Sequence, residues 1–352
     1  MGHATADSIT IIRPDDWHVH FRDGDRLASV AAATAAQFGR AIVMPNLKPP
    51  VTTTAAAIAY RDRILAALAT TGGRTDFTPL MTLYLTDVTP PDEIDRAVDS
   101  GVVHGVKLYP AGATTNSSAG VTDIRHVDAV LERMAVRGMP LLVHGEVTTA
   151  SVDVFDREAR FIDDILAPLL DRHPALKVVF EHITTAAGVH FVRSRGPRVA
   201  ATITAQHLLA TRNDLLVGGI KPHYYCLPIL KGFEDRAALV AAATSDDPSF
   251  FLGTDSAPHP VHAKESSCGC AGCYTAHAAM ELYAEVFEDA GALDKLEDFA
   301  SRRGPAFYGL PVHTDTITLE RVRWQPPTAL PFGDSIVHPW RSDEPLRWRI
   351  QA

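Results

Sequence analysis

The sequence predicts a single-domain (β/α)8 TIM barrel, and three observations lead to this fold class. Short, continuously apolar runs, typical of buried parallel strands, alternate with longer Ala-, Leu- and Arg-rich segments, typical of helices. Eight such apolar runs occur, which is the number of strands in a closed (β/α)8 barrel. No Gly-rich phosphate loop follows the first run, which argues against the alternative of an open, doubly wound sheet.

The predicted elements follow one another in regular alternation. In chain order the strands are Asp16–His20 (the least clear), Ala41–Met44, Thr78–Tyr84, Gly105–Tyr109, Pro140–Val143, Lys177–Glu181, Arg198–Ile203 and Phe250–Gly253. The intervening helices are Thr53–Leu68, Asp92–Ser100, Arg125–Arg137, Phe155–Arg172, Ala186–Arg195 and Asp235–Ala243. A Cys-rich loop at Ser266–Tyr274 and two helical stretches, Ala276–Ala290 and Leu293–Arg302, come next. We therefore expect one domain over residues 1–352, with a Pro- and Trp-rich tail wrapping its surface from about residue 313.

Composition narrows the class of protein. The chain has 352 residues, of which 46% are hydrophobic and 21% charged, so it can bury a large core. Its formal net charge of −9 argues against nucleic acid or an anionic membrane as a partner. Neither a transmembrane run nor a secretory signal is recognisable, and four cysteines do not make a disulfide scaffold. These observations favour a cytoplasmic protein that acts on a small molecule.

Polar side chains stand at the carboxyl ends of six predicted strands, which meet at one mouth of a barrel. They are His18, His20, Asn46, Lys107, His144, His182 and Asp255. Two histidines at i and i+2 lie on one face of a strand and suit a divalent metal such as zinc, but this signal alone is weak. Single histidines after a strand are more often satisfied core residues. Four of them, with an acid after the eighth strand, predict a metal site.

Lys107 is the exception in this set, because an ammonium would repel metal ions. It is either an ion-paired lysine or a neutral amine, a form that burial and nearby positive charge favour. A neutral amine can add carbon dioxide and become a carbamate, which is able to bridge two cations.

This set of residues resembles that of the amidohydrolase superfamily, and more narrowly that of the class II dihydroorotases. The resemblance covers roughly residues 10–312. It rests on RPDDWHVHFRDGD, RAIVMPNLKPPVTT, GVKLYPAGATTNSSAGV, LLVHGEVT, FDREARFI, VVFEHITT, LLVGGIKPHYYCLPILK, FLGTDSAPH, KESSCGCAGC and GPAFYGLPV. It implies reversible, zinc-dependent interconversion of L-dihydroorotate and N-carbamoyl-L-aspartate in pyrimidine biosynthesis, by a homodimer.

The resemblance also implies roles for the residues at the strand ends. His18, His20 and Asp255 would bind the more buried of two zinc ions, and His144 and His182 the more exposed one. Lys107, as N6-carboxylysine, would bridge the two ions together with a hydroxide. Asp255 would be the general acid and base.

The same resemblance implies how the substrate is held. Arg22, Asn46 and His259 would bind its carboxylate, with His20 beside them, and Leu227 and Ala271 would offer main-chain groups to its ring. Thr114 and Thr115 lie in a loop that would close over the substrate. Without the resemblance, Arg22 could equally form a surface ion pair with Asp23 or Asp25.

Three alternatives remain beside this interpretation. A related cyclic amidase, such as a hydantoinase or an allantoinase, could use the same metals, although the Arg22, Asn46 and His259 set suits a ring that has a carboxylate. A non-catalytic dihydroorotase-like scaffold would be expected to lack metal ligands. Cys268, Cys270 and Cys273 have the spacing of a structural zinc site, but this stretch belongs to the family pattern, where it is not a ligand set.

Overall fold

Eight parallel strands form the centre of the fold in the computed structural model, which describes residues 7–72, 74 and 76–351. They are β2 (Asp15–Val19), β3 (Arg40–Val43), β4 (Thr78–Tyr84), β5 (Val103–Leu108), β6 (Leu141–His144), β7 (Val178–Glu181), β8 (Val199–Ile203) and β9 (Phe250–Leu252). Each strand pairs with the next one along the chain. The predicted (β/α)8 barrel is therefore confirmed.

The barrel closes between its last strand and its first. The segment after β9 lies parallel to the end of β2, with a bridge between Val19 and Ser256. The amide of Asp255 donates to the carbonyl of His18 at 2.9 Å, and the amide of His20 donates to the carbonyl of Ser256 at 3.1 Å. Closure thus brings the two ends of the sequence pattern, H-x-H and the acid, directly against each other.

Helices cover the outside of the barrel. In chain order they are α1 (Leu27–Gln37), α2 (Thr54–Thr70), α3 (Pro91–Ser100), α4 (Asp128–Arg137), α5 (Arg157–Phe161), α6 (Ala167–Arg172), α7 (Ala186–Ser194), α8 (Ala205–Leu209), α9 (Arg212–Leu216), α10 (Phe233–Ala243), α11 (Val261–Lys264), α12 (Ala279–Asp289) and α13 (Arg303–Tyr308). A π-helical turn, Ile162–Leu166, joins α5 to α6. None of the helices in the described ranges has both the length and the apolar character needed to cross a membrane.

The barrel interior is filled by side chains from nearly every strand. One buried cluster contains Trp17, Ile42, Met44, Leu80, Leu142, Val179, Ala200 and Phe251. Residues of opposite strands meet in this way only inside a barrel. β5 supplies Gly105 at this level, where any Cβ would collide with Leu142. α13 closes the end at which the strands begin, where Tyr308 stacks on Trp17 with ring centroids 4.5 Å apart.

Beside the barrel lies a small antiparallel sheet that periodicity did not predict. β1 (Ser8–Ile12) pairs with β10 (Thr316–Glu320), which in turn pairs with β13 (Arg349–Ile350). Between β10 and β13 the chain forms a hairpin of β11 (Leu330–Phe332) and β12 (Ser335–Val337). Trp340 and Trp348 are buried, so the tail packs into the molecule along much of its length.

Candidate active site

The structure brings the predicted side chains together at the carboxyl ends of the strands. One small cavity is lined by His18, His20, Arg22, Asn46, Thr114, Thr115, His144, His182, Leu227, Asp255 and Ala271. Lys107 is fully buried beneath it, and His259 lies beside Arg22. The sequence therefore located every one of these residues in one site.

Three of these residues have a positive φ, which residues with a side chain rarely adopt: Arg22, with a φ of 64°, and two residues that follow strands. His182, directly after β7, has a φ of 42°, and Asp255, after β9, has a φ of 44°. Such conformations cost about 1–3 kcal/mol each and persist where the surrounding structure enforces them. The amide of His182 donates to Thr202 Oγ1 at 2.7 Å, and that of Asp255 to the His18 carbonyl. The strain turns both side chains into the mouth of the barrel.

The innermost part of the site is a triangle of potential metal ligands. His18 Nε2 and His20 Nε2 lie 3.3 Å apart, and Asp255 Oδ1 lies 3.3 Å and 3.1 Å from them. Ligands about 2.0–2.1 Å from a tetrahedral zinc ion are roughly 3.3 Å from one another. Ligand atoms of His18, His182 and Asp255 also lie within 4.8 Å of one another. The donor set and its spacing fit a divalent cation.

The charges of the buried groups also fit a cation. Burial would raise the pKa of the Asp255 carboxyl, but His18 and His20 hold it well below its usual range. Burial would lower the pKa of His18, but Glu181 and then Asp255 raise it to about 9. Burial lowers the pKa of His20 to about 4 and that of His182 well below its usual value. The acidic groups thus favour a positive charge in the triangle, and the imidazoles of His20 and His182 are neutral and can act as ligands.

Lys107 forms a buried ion pair, one of the two interpretations of the sequence, and its partner is Glu181, which the sequence analysis did not single out. Lys107 Nζ donates to Glu181 Oε2, and His18 Nδ1 lies 3.1 Å from Glu181 Oε1. Burial lowers the pKa of Lys107, which brings the amine closer to the neutral form that can react with carbon dioxide. The position of Glu181, directly before His182 in FEH, was the available signal for it.

Glu146 is a second residue that the sequence analysis missed. It is buried, and its Oε2 accepts from His144 Nε2 at 2.9 Å. This leaves Nδ1 of His144 as the atom available to a cation. A carboxylate on the second nitrogen of a metal-binding histidine fixes the ring orientation and the tautomer. The signal was the H-G-E spacing, which places Glu146 two residues after His144.

Arg22 belongs to the site and does not pair with Asp23 or Asp25. Its Nε donates to the carbonyl of Pro258 at 2.9 Å, and its Nη2 lies 3.0 Å from His259 Nε2. Asp23 pairs instead with Arg63. A half-buried guanidinium with no carboxylate partner among the described residues is suited to a bound anion.

Asn46 connects the ligand triangle to the loop over it. Its Oδ1 accepts from His20 Nδ1 at 2.8 Å, which leaves Nε2 of His20 free for a metal. Its Nδ2 donates to the carbonyl of Thr115 at 3.1 Å. Thr115 Oγ1 also lies 3.5 Å from the carbonyl of Ala271. The loop is therefore closed over the cavity.

The cysteine cluster does not form a metal site of its own in the described part of the chain. All four cysteines are free thiols, with Cys226 and Cys273 buried and Cys268 exposed. The single group of three or more potential ligands found in the described ranges is the one at His18, His182 and Asp255.

A parallel-stranded (β/α)8 barrel with this metal-ligand set defines a metal-dependent hydrolase, and the chain belongs to the amidohydrolase family, which matches residues 9–319. A dihydroorotase of Ralstonia nicotianae is 65% identical over 343 residues, covering 97% of this chain and 99% of the relative. Within the amidohydrolases the chain therefore belongs to the dihydroorotases, which are hydrolases acting on a cyclic amide.

Solved structures agree with this assignment. Dihydroorotase of Saccharomyces cerevisiae in complex with 5-fluoroorotic acid superposes with a TM-score of 0.90 at 32% identity, covering 98% of this chain and 99% of that one. Dihydroorotase of Campylobacter jejuni gives a TM-score of 0.90 at 35% identity, with 99% of both chains covered.

Proposed function

We propose that this protein is a zinc-dependent dihydroorotase that interconverts L-dihydroorotate and N-carbamoyl-L-aspartate. The observation that carries the proposal is the placement of the ligand triangle beside the half-buried pair of Arg22 and His259. The first suits a hydrolytic metal centre, and the second suits a carboxylate on the substrate. A hydantoin or allantoin ring, which lacks that carboxylate, would leave Arg22 unpaired.

The metal centre would take its ligands from the residues already described. His18, His20 and Asp255 would hold the inner zinc ion, His144 and His182 the outer one, and carboxylated Lys107 would lie between them. When bound, two such cations would lower the pKa of a water molecule and polarise the amide carbonyl.

Asp255 moves the proton in this proposal. Its low pKa keeps it ionised, so it can accept a proton from the attacking water and return it to the ring nitrogen that leaves. In the direction of ring closure, it accepts the proton of the carbamoyl nitrogen. Its fixed position, hydrogen-bonded through its amide to His18, keeps it facing the reacting bond.

The remaining residues bind the substrate and exclude water. Arg22 and His259 hold the carboxylate, together with the second amide hydrogen of Asn46. Main-chain groups of Leu227 and Ala271 border the ring, because both residues line the cavity. The loop with Thr114 and Thr115 covers the substrate.

The biological setting follows from the same proposal. The enzyme would act in the cytoplasm, as a homodimer, in pyrimidine nucleotide biosynthesis, with a small-molecule substrate and neither nucleic acid nor membrane as a partner.

Steady-state hydrolysis of L-dihydroorotate by zinc-loaded protein tests the proposal, with hydantoin and allantoin as parallel substrates and metal content measured on the same sample. We expect turnover of dihydroorotate alone, with close to two metals per chain and loss of turnover in Asp255→Asn. Turnover of another ring only would overturn the substrate. Full metal loading without turnover of any ring would favour a non-catalytic scaffold.

A further inference from the structure

The loop over the site is fastened by a residue that the proposed mechanism does not use. Asn116 Nδ2 donates to the main-chain carbonyl of Asn46 at 3.0 Å. In return, Asn46 Nδ2 donates to the carbonyl of Thr115, next to Asn116, at 3.1 Å. Tyr84 Oη donates to the carbonyl of Asn116 at 3.2 Å. Three hydrogen bonds thus hold two adjacent loop residues to the wall of the barrel.

The backbone at Asn116 is shaped for this contact. Its φ is 57°, in the left-handed region, where Asn is tolerated better than most residues with a side chain. This conformation turns its side chain toward Asn46, while Thr114 and Thr115 line the cavity. The neighbouring Ser118 is exposed and makes no side-chain hydrogen bond within the described ranges.

The closed site is too small for a substrate to enter. Its cavity measures about 20 Å³. A single water needs roughly 10–15 Å³ of the same measure, so this space suits one or two waters. A second cavity of about 400 Å³ lies on the outer side of Arg22 and Asn46, and Asn116 lines it. The bonds between Asn46 and Asn116 therefore separate the site from an open chamber, and they must break for a ligand to pass.

We propose that Asn116 holds this loop closed and acts as its latch. Asn46, which accepts the hydrogen bond of Asn116, couples loop closure to His20. The coupling follows because one amide group of Asn46 holds both the loop, through Nδ2, and the ring of His20, through Oδ1. Asn116 is a positioning residue: it controls the entry of the substrate without touching it. The identity of the ligand rests on the proposed function, whereas the latch itself rests on these contacts.

The substitution Asn116→Asp tests the latch, because Asp has nearly the same size and also tolerates a positive φ but cannot donate a hydrogen bond. One lost hydrogen bond shifts the opening equilibrium by about five-fold. With these bonds formed the site has no room for the ligand, so the latch stabilises the ligand-free closed loop alone, and its loss makes association about five-fold faster while dissociation keeps its rate. The dissociation constant therefore falls by about five-fold. Ser118→Ala is the matched control and leaves both rates at their original values.

Stopped-flow binding of 5-fluoroorotate to the zinc-loaded protein measures these rates. Unchanged rates in Asn116→Asp would overturn the latch. Faster dissociation alone, with weaker binding, would also overturn it, because Asn116 would then contact the ligand directly.

Hydrogen exchange of residues 111–120 without ligand separates the latch from the proposed function. We expect exchange in this segment to be about five-fold faster in Asn116→Asp than in Ser118→Ala. If 5-fluoroorotate does not bind the unsubstituted protein, the proposed substrate fails and this comparison still decides the latch: equal exchange in the two variants contradicts it.

Discussion

Three of the four histidines proposed as metal ligands have their second ring nitrogen next to a buried oxygen. His18 Nδ1 lies near Glu181, His20 Nδ1 donates to Asn46, and His144 Nε2 donates to Glu146. Because the hydrogen bonds of His20 and His144 each select a tautomer, the opposite nitrogen of these two rings is left as a ligand atom. The metal site is therefore specified by the partners of the histidines as much as by the histidines themselves.

Replacement of Glu146 should weaken metal binding without unfolding the protein. Glu146→Gln removes the charge that orients His144, and losses of such partners lower metal affinity by about 10–100-fold. Competition of the zinc-loaded protein with a chromophoric chelator measures this affinity. Glu132→Gln, an exposed position on α4, is the control. Affinity equal to that of the control would show that His144 needs no orienting partner.

Lys107→Ala should lose metal and activity together, because the group proposed to bridge the two ions is removed. Added short-chain carboxylates should restore part of the activity by occupying the space that the side chain leaves. Metal analysis and turnover on the same samples give the result. Full activity with two metals bound in the variant would mean that Lys107 has no bridging role.

At the scale of elements, α12 fixes the C-terminal tail to the barrel. Three acidic residues, one turn apart on this helix, accept hydrogen bonds from the tail. Glu281 accepts from the amide of Ile350, Glu285 from that of Arg347, and Glu288 from the indole of Trp348. These contacts explain how the tail, which lies beyond the residues that the family resemblance covers, packs against the barrel.

Glu281 should make stability depend on pH in a defined direction. Burial raises the pKa of this carboxyl to about 7, above its value in the unfolded chain. The folded state therefore binds more protons between about pH 4.5 and pH 7, and the stability of the protein falls as pH rises through this window. Glu281→Gln keeps the acceptor for the Ile350 amide but removes the ionisation.

The free energy of unfolding of Glu281→Gln, relative to the unsubstituted protein, should increase as pH rises from 5 to 8, by up to about 3 kcal/mol. Urea unfolding at a series of pH values measures it. A difference that does not vary with pH would show that the Glu281 carboxyl titrates as it does in water.

At the scale of the whole molecule, the site residues lie at one end of the barrel, and aromatic packing that stabilises the fold lies at the other. Polar groups gather where the strands end, whereas the opposite end is closed by aromatic packing of Trp17, Phe251, Phe307 and Tyr308. This division is general for (β/α)8 barrels. Changes at the closed end should alter stability and leave the geometry of the site intact.

Gly304→Ala tests this closed end. Alanine normally stabilises a helix relative to glycine, but a Cβ at this position of α13 would overlap the indole of Trp17. Overpacking of this kind costs about 1–3 kcal/mol, so the melting temperature should fall. In Gly232→Ala, where the nearest atom to a new Cβ is 3.9 Å away, we expect no such loss. Equal melting temperatures would mean that Trp17 can move aside.

The sequence by itself determined the barrel and the residues of its site. Eight apolar runs have the length and spacing of parallel strands, and the polar residues after six of them had to lie at one mouth. Strand boundaries shifted by one or two residues, as for Gly105–Tyr109, which is observed as Val103–Leu108. Local periodicity determines such features because each depends on neighbours in the chain.

Only the tertiary structure decided the partners. Glu181 and Glu146 looked like ordinary acids, Asn116 like a loop residue, and Ser8–Ile12 gave no sign of its pairing with Thr316–Glu320. Arg22 could have faced solvent until its contact with His259 was seen. Each of these contacts joins side chains or strands whose pairing leaves no periodic pattern, and many span long stretches of chain. Their physical basis is burial, because a buried polar group without a partner costs free energy, and the fold decides which partner is within reach.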